Sequence, residues 1–190
     1  SVHLPLRRYA YKEVMNRFGS DKPDTRFTYE ISDVTSIFLQ SDFAPFKNVL
    51  EKGYIKALKL EGLAASLTRK DIDSLTEVAK KNHAKGLIWG RFINDCFEGV
   101  LAKNMTTIEA NKLKETLHLA DGDFVFIVAD NVWEHTCTSL GAIRSLLGKR
   151  FQSDRMVGYD LFWVVDFPLF DFDQETKMYV STHHPFARPF

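Results

Sequence analysis

Two adjacent histidines near the end of the chain, His183 and His184, could do chemistry. An imidazole can donate a hydrogen bond to a carboxylate, or serve as an acid or base, close to neutral pH. Consecutive residues of a strand point to opposite faces, so regular geometry offers only one imidazole to any one site. Structural hydrogen bonding at a strand end is the alternative, and it is more common. Zinc binding is disfavoured, because adjacent histidines lack the usual ligand spacing and no cysteine is near.

Carboxylates precede these histidines in the same part of the chain. Asp166 lies inside a predicted apolar strand, where a carboxylate must be paired or hydrogen-bonded. It could orient a substrate amine, although structural pairing is the more common use of such a group. The run that contains Asp171, Asp173 and Glu175 resembles the start of a calcium-binding loop. Since the glycine and the distal glutamate of such a loop are absent, we expect a solvated hairpin instead.

The opening of the chain is locally basic, although its 25 basic and 25 acidic residues cancel over the whole length. The basic residues of this opening are Arg7, Arg8, Lys12, Arg17, Lys22 and Arg26. Such side chains could contact phosphate groups. Scattered lysines and arginines on an exposed helix can also serve only solubility, and the sequence leaves both alternatives open.

Composition indicates a folded protein with a sizeable core. Apolar residues make up 45% of the 190 residues and include 16 Phe. No apolar run approaches the roughly 20 residues that span a bilayer, and no secretory signal opens the chain. Cys96 and Cys137 are too few for a disulfide framework, so we expect buried, inert thiols in a reducing compartment.

Apolar periodicity and end signals predict alternating strands and helices. Strands are expected over residues 27–34, 54–60, 86–92 and 124–129, with a short partner strand over 100–103. Helices are expected over residues 11–18, 42–52, 68–82, 106–117 and from Asp130 or Asn131 to Leu147, where Gly148 ends the last one. Short strands with antiparallel neighbours favour an α+β fold. No Gly-rich phosphate loop follows a strand, which disfavours nucleotide binding in the middle of the chain.

Three stretches together resemble bacterial-type aspartyl-tRNA synthetase, a class II enzyme, in residues, order and separation. The first reads RFGSDKPDTR from Arg17 to Arg26, and the second is GAIR at residues 141–144. The third comprises WVVDFPLF at residues 163–170 and HHPF at residues 183–186. The resemblance covers essentially all 190 residues.

This resemblance implies a division of the chain into three parts. Residues 1–27 and 158–190 would be two segments of a class II catalytic domain, which is built on an antiparallel sheet. Residues 28–157 would be the GAD domain inserted between them, an α+β module with a mixed, largely antiparallel sheet and packed helices.

The resemblance also implies an activity, aspartate–tRNA ligation. The family activates aspartate with ATP and Mg²⁺ and then transfers it to tRNA. Its paired histidines line the aspartate pocket, which implies that role for His183 and His184, with His183 as the first choice. The implied partners of the parent enzyme are tRNA, aspartate and ATP. The parent is expected to be a homodimer without membrane association, in a bacterial cytoplasm or an organelle.

Two departures from the family pattern limit what the chain alone should do. Ala187 follows HHPF, where the family usually has threonine. The class II signature motifs, the remaining amino-acid pocket and the anticodon-binding barrel are absent. We therefore expect the chain alone to bind no cofactor and to be inactive. Two alternatives stay open: a non-catalytic module that binds tRNA or a partner, and a part of a tRNA-dependent amidotransferase subunit.

Overall fold

The computed structural model describes residues 5–173 and 176–181. Its strands are β1 (Arg7–Ala10), β2 (Ile31–Asp33), β3 (Tyr54–Leu60), β4 (Ile88–Ile93), β5 (Cys96–Gly99), β6 (Asp123–Asp130), β7 (Phe162–Val165), β8 (Phe170–Asp173) and β9 (Met178–Ser181). Its α-helices are α1 (Tyr11–Phe18), α2 (Ala44–Lys47), α3 (Arg69–Lys81), α4 (Val100–Asn104), α5 (Thr107–Leu117) and α6 (Trp133–Phe151). Within the described ranges, no helix has the length and apolar character needed to cross a membrane.

Five strands form the central sheet in the order β2-β3-β6-β4-β5, and each neighbouring pair is antiparallel. The predicted α+β class and largely antiparallel sheet are therefore confirmed. β6 lies in the middle, and its residues from Phe124 to Val128 are fully buried. A strand that is apolar at consecutive positions needs cover on both faces.

The sheet separates two apolar cores, because successive side chains of a strand point to opposite faces. On one face, Leu58 and Phe126 share a core with apolar residues of α3 and α6. On the other face, Ile55 and Ile127 share a core with apolar residues of α2, α4 and α5. The sheet is thus the middle layer between two layers of helices.

Capping boxes begin α3 and α5 at the predicted positions. The hydroxyl of Thr68 accepts from the N–H of Asp71 at 3.2 Å, and the Asp71 carboxylate accepts from the N–H of Thr68 at 2.9 Å. Arg150 of α6 donates to the same carboxylate at 2.8 Å, and these bonds lower the pKa of Asp71 to about 2. Thr106 and Glu109 repeat the box at α5. Both boxes satisfy N–H groups that a helix leaves unpaired at its start.

The first predicted strand shortens to β2, because a side chain takes the place of a neighbouring strand. Arg144 of α6 donates from Nε to the carbonyl of Tyr29 at 2.5 Å. Its Nη2 donates to the carbonyls of Phe27 at 3.1 Å and Asp24 at 3.0 Å. These carbonyls are satisfied without a strand ladder. The predicted alternation still holds, since Phe27, Tyr29 and Ile31 are buried.

The guanidinium of Arg144 carries its charge into the protein interior. The residue is 2% exposed, and the centre of the guanidinium lies 4.7 Å from the ring centroid of Phe18. Burial lowers the pKa of Arg144 to about 10, while the carboxylates of Glu30 and Asp24 oppose that shift. The side chain therefore stays protonated at neutral pH and holds the backbone of residues 24–29 against α6.

The hairpin partner of β4 is β5, and the predicted strand over residues 100–103 is wrong. Asn94 and Asp95 have positive φ angles of 50° and 61° and connect the two strands as a two-residue turn. Because the turn is only two residues long, strand pairing begins directly beside it, with Cys96 opposite Ile93. The following residues form α4 instead.

The predicted helix over residues 42–52 is reduced to α2, a single turn. Phe46 and Val49 are buried, as their helical spacing predicted. The backbone tightens after α2, however, because the N–H of Val49 donates to the carbonyl of Phe46, three residues earlier, at 3.0 Å. Hydrogen bonds of this span belong to a 3-10 turn and end an α-helix.

α6 extends beyond its predicted end. Asp130 does not cap it, since its carboxylate accepts the N–H of Val132 at 2.8 Å and the helix begins at Trp133. Gly148 does not end it, because the helix continues to Phe151. A Cβ at Gly148 would overlap with the ring of Phe27. Close packing, and not a chain reversal, therefore explains this glycine.

α1 spans the predicted residues, and Gly19 ends it with a φ of 69°. The helix end packs against α6, where a Cβ added to Gly141 would overlap with the backbone of Gly19. Asn16 adds a polar contact, because its Oδ1 accepts from Trp133 Nε1 at 2.8 Å and from Lys56 Nζ at 2.7 Å. α1 is thus fixed to α6 and β3 by both packing and hydrogen bonds.

We expect Gly141→Ala to destabilise the protein by about 2 kcal/mol, since overpacking against rigid backbone costs more than the ~1 kcal/mol that alanine contributes to a helix. Urea unfolding measures the change. Gly86→Ala is the control, because a Cβ at Gly86 meets no atom within 4 Å. Equal stability of Gly141→Ala and the parent would contradict the close contact between α1 and α6.

We expect Arg144→Met to lower the free energy of unfolding by about 3 kcal/mol, because three carbonyls lose their donor in a buried place. Urea unfolding at pH 7 tests this. The exposed Arg155 supplies a control, and Arg155→Met should change stability by less than about 0.5 kcal/mol. If both variants unfold alike, the buried hydrogen bonds of Arg144 do not stabilise the fold.

Candidate functional site

The two ends of the described chain meet in a small parallel sheet. β1 pairs with β7, with Arg7 opposite Phe162 and Ala10 opposite Val165. Parallel strands need a crossover connection, and here the connection is the whole body between residues 11 and 161. This pair is separate from the five-stranded sheet.

Asp160 ties three remote segments together beside this pair. Its carboxylate accepts hydrogen bonds from the guanidinium of Arg7 and the hydroxyl of Thr25. Both bonds favour the charged form, so the pKa of Asp160 is lowered, chiefly by Arg7. Arg26 adds a bond of 2.9 Å from Nη1 to the carbonyl of Gly158. We call this region, residues 7–10, 20–26 and 158–165, the junction.

Two cavities flank the loop over residues 20–26. The outer cavity has a volume of about 330 Å³ and lies between Lys22–Arg26 of the loop and residues 158–161. The inner cavity, of about 280 Å³, lies between the loop and α6. Asp24 lines both cavities, and its carboxylate binds Arg26 at 2.7 Å. That bond lowers the pKa of Asp24, so the loop carries a carboxylate charge between the two cavities.

Two of the three stretches singled out in the sequence are in contact with each other, and the third pairs with the opening of the chain. Gly19 of the first stretch packs on Gly141 of the second, and Asp24 accepts a hydrogen bond from Arg144. In the third stretch, Trp163 lies opposite Arg8 in the pairing of β1 with β7. Sequence reasoning missed the central role of Asp160, because one exposed-looking aspartate in a polar connector gives no signal.

The basic opening is partly neutralised within the chain. Arg17 donates to Glu13 at 3.0 Å and to Glu30 at 2.8 Å, and both bonds raise the pKa of Arg17. Arg7 and Arg26 have the carboxylate partners already described. These three arginines therefore have structural partners. The alternative of phosphate contact stays open for Arg8, Lys12 and Lys22.

The predicted site histidines, His183 and His184, lie outside the described residues. Asp166 is described, and the prediction that it sits inside an apolar strand is wrong. It follows the end of β7, is exposed and has a φ of 58°. A carboxylate in that position reaches solvent and needs no buried partner.

The acidic run after β7 forms a hairpin, as predicted. β8 pairs with β9 in antiparallel register, with Phe172 opposite Tyr179. Thr176 N–H donates to the carboxylate of Asp173 at 3.3 Å in the turn, while Glu175 lies outside the described residues. Among residues 5–173 and 176–181, no three His, Cys, Asp or Glu side chains are placed to hold a metal ion.

The two cysteines differ in exposure. Cys137 is buried in α6, as expected, and its sulfur accepts from Lys56 Nζ at 3.3 Å. Burial raises the pKa of the Cys137 thiol, and the nearby Lys56 opposes that shift. Cys96 is exposed, contrary to expectation, because it begins the edge strand β5. The buried Lys56 was missed, although a lysine inside an apolar strand signals a charge that needs buried partners.

Large apolar side chains lie exposed in the last described part of the chain. Tyr159 is 92% exposed, Val157 81%, Leu169 78% and Tyr179 75%. Residues 27–151, by contrast, place most of their large apolar side chains in two cores. Apolar surface of this extent is typical of a face that another part of a protein covers.

Comparison with known proteins adds a family and a set of relatives. The sequence profile of the GAD domain matches residues 46–140, half of the chain. This range contains the strands β3 to β6, the helices α3, α4 and α5, and the first turns of α6. The match therefore falls on most of the five-stranded sheet and of the helices packed against it.

Relatives match almost the whole chain. An aspartate–tRNA(Asp/Asn) ligase of Caldanaerobacter subterraneus subsp. tengcongensis is 43% identical over 189 residues, which are 99% of this chain and 32% of the relative. An aspartate–tRNA ligase of Halalkalibacterium halodurans is 42% identical over 99% of this chain and 32% of its own length. One of Streptococcus equi subsp. zooepidemicus is 42% identical over 99% of this chain and 31% of its own length.

The chain thus spans about a third of the length of the curated relatives it matches. Its similarity to aspartate–tRNA ligases confirms the resemblance stated from three short stretches of sequence. Because the GAD domain profile covers half of the chain, the protein belongs to the GAD domain family.

Proposed function

We propose that this chain is part of an aspartate–tRNA ligase, which activates aspartate with ATP and transfers it to tRNA. The observation that carries the proposal is an identity of 42–43% to aspartate–tRNA ligases along 99% of the chain. Since the match continues on both sides of the GAD range, it extends to the parts of the relatives that flank that domain.

In this proposal, the chain contains two segments of one domain and a second domain inserted between them. Residues 1–27 and 158–190 are two segments of one catalytic domain, and residues 28–157 are the insertion. The pairing of β1 with β7 supports this division, as do the bonds from Asp160 to Arg7 and Thr25. The exposed apolar residues after residue 156 also support it, because the rest of the catalytic domain would cover them.

His183 and His184 line the aspartate pocket in this proposal, with His183 as the first contact. An imidazole that donates to the substrate carboxylate recognises both the charge and the length of a small acidic amino acid. Activation joins the α-carboxylate of aspartate to the α-phosphate of ATP and releases pyrophosphate. The terminal ribose hydroxyl of tRNA then attacks the aspartyl carbonyl and releases AMP.

We assign the ATP and Mg²⁺ sites to parts of the full-length protein outside this chain. Mg²⁺ would supply charge neutralisation of the phosphates. The full-length protein is proposed to be a cytoplasmic homodimer that binds tRNA, aspartate and ATP. One relative's name includes both aspartate and asparagine tRNA, so either specificity is compatible with the proposal.

A non-catalytic module that binds tRNA or a partner is the second candidate. It is favoured by one observation, namely that the GAD profile matches half of the chain. The relatives named here are ligases, which favours the ligase over the amidotransferase alternative.

We expect the full-length protein to catalyse aspartate-dependent exchange between ATP and pyrophosphate, and the 190-residue chain alone to show none. The chain lacks the parts that clamp ATP, so it cannot align the two reactants. Radiolabelled pyrophosphate exchange measures both proteins, with glutamate as the control substrate. Strong exchange by the chain alone would refute the proposal that ATP is bound by other parts of the full-length protein.

In the full-length protein, we expect His183→Ala to raise KM for aspartate about tenfold or more, because a charge-assisted hydrogen bond of ~1.5 kcal/mol or more is lost. KM for ATP should stay within about twofold of the parent value. His118→Asn is the control, since His118 lies at the end of α5 in a left-handed conformation that asparagine tolerates. An unchanged KM for aspartate would remove His183 from the pocket.

We expect Asp160→Asn to destabilise the junction by about 1 kcal/mol at pH 7, with the figure kept small because the ion pair is partly exposed. The folded-state pKa of Asp160 is lowered, so this contribution is present above pH ~4 and is lost as the pH falls through the folded-state pKa. Unfolding measured from pH 7 to pH 3 should therefore show the parent and the variant converging. Asp42→Asn, at an exposed position, should leave the pH profile unchanged. A constant difference at all pH values would contradict the role of the carboxylate charge.

A further inference from the structure

A basic, aromatic surface lies where α3 ends and α6 begins. Its members are Lys81 at the end of α3, His83 and Lys85 just after that helix, and His135 in the first turn of α6. The first three are exposed, and the His135 side chain is 34% exposed. We call these four residues the Lys–His surface. The activity proposed above assigns no role to any of them.

His83 adopts a backbone conformation that normally favours glycine. Its φ is 76°, and its N–H donates to the carbonyl of Lys80 at 3.0 Å where α3 ends. Ala84 N–H then reaches back to the carbonyl of Ala79 at 3.0 Å, which completes the usual end motif of a helix. A residue with a Cβ is strained in this left-handed conformation, whereas glycine is not. The imidazole therefore stands at a position where glycine would stabilise the fold better.

The ring of His83 stacks on the ring of His135, with centroids 5.1 Å apart and planes at 22°. His135 is held in turn, because its Nδ1 lies 3.3 Å from the carboxylate of the buried Asp130. Thr138 of α6 donates to the carbonyl of Asn82 at 3.3 Å, which fixes the two helices to each other. Two imidazoles thus form a rigid stacked platform at the surface.

The lysines beside this platform carry uncompensated charge. Lys80 is neutralised by Glu77 at 3.1 Å, whereas no carboxylate oxygen of the described residues lies within 4.0 Å of the ammonium group of Lys81 or Lys85. Positive charge next to flat, exposed rings matches the two features of an unpaired nucleotide, namely its phosphate and its base. An acidic peptide would use the lysines and leave the stacked rings without a purpose.

We propose that the Lys–His surface binds the RNA substrate, with phosphates on Lys81 and Lys85 and an unpaired base stacked against His83. The identification of that RNA as tRNA rests on the proposed function. Because the surface lies within the proposed insertion, residues 28–157, it acts as a binding contact and takes no part in the chemical steps.

The test measures tRNA binding by full-length variants, using fluorescence anisotropy of an aspartate tRNA transcript over a range of KCl concentrations. Lys81→Glu/Lys85→Glu should weaken binding about tenfold or more, and should lower the slope of log Kd against log salt by about 2. His83→Gly removes the ring but suits the left-handed backbone. It should weaken binding about fivefold or more through lost stacking, with an unchanged or raised Tm.

Lys103→Glu/Lys112→Glu is the matched control, because it makes the same change of charge on α4 and α5, which cover the other face of the sheet. It should keep Kd within about twofold. Equal losses in both double variants would reduce the effect to overall charge and overturn the proposal. Parent-like binding by His83→Gly would overturn it too, as would competition by polyglutamate as strong as that by polyuridylate.

Failure of this inference and failure of the proposed function have different outcomes. If the parent protein transfers aspartate to tRNA and the surface variants bind like the parent, the surface is wrong and the function stands. If the parent transfers no aspartate but binds the transcript with the expected losses in the variants, the surface stands and the ligase proposal fails.

Discussion

The guanidinium of Arg144 is a charge buried in the body, and its hydrogen bonds determine how the first loop meets the last helix. Its N–H groups reach the carbonyls of Asp24, Phe27 and Tyr29. A buried charge is tolerated only where its donors are satisfied, so the loop must follow a path that presents three carbonyls to one side chain. That path turns residues 24–30 away from strand pairing and leaves β2 as the short edge of the sheet.

The close contact of Gly19 with Gly141 and the packing of Phe27 on Gly148 depend on the same path. Both glycines of α6 lie on the side that faces the loop, and neither leaves room for a Cβ. Three positions along one helix, 141, 144 and 148, therefore shape a single interface. Helical spacing places them on one side, since residues three and four apart are neighbours on a helix.

The junction inherits its geometry from this interface. With residues 24–26 fixed on α6, Thr25 and Arg26 are positioned to bind Asp160 and the carbonyl of Gly158. β1 then pairs with β7 in parallel, although the entire body separates them in sequence. The segment that leads into the body and the segment that leaves it therefore lie side by side. This arrangement agrees with the proposed division into a catalytic domain in two segments and a GAD domain inserted between them. The apolar residues exposed beyond it agree with cover from the rest of a longer protein.

The sequence by itself determined the α+β class, the ends of α1, α3 and β3, and the resemblance to aspartate–tRNA ligases. These features follow from local signals: apolar periodicity, capping boxes, a terminal glycine and short contiguous stretches. Tertiary structure alone decided the length of β2, the reason for Gly148, the partners of Lys56 and the role of Asp160, because each depends on residues at least 40 positions away. The Asn94-Asp95 turn could in principle have been predicted from the sequence, since a two-residue turn determines the pairing of its hairpin through neighbouring residues alone. Contacts between remote segments leave no periodic trace in a single sequence, and for that reason the junction could only be seen in three dimensions.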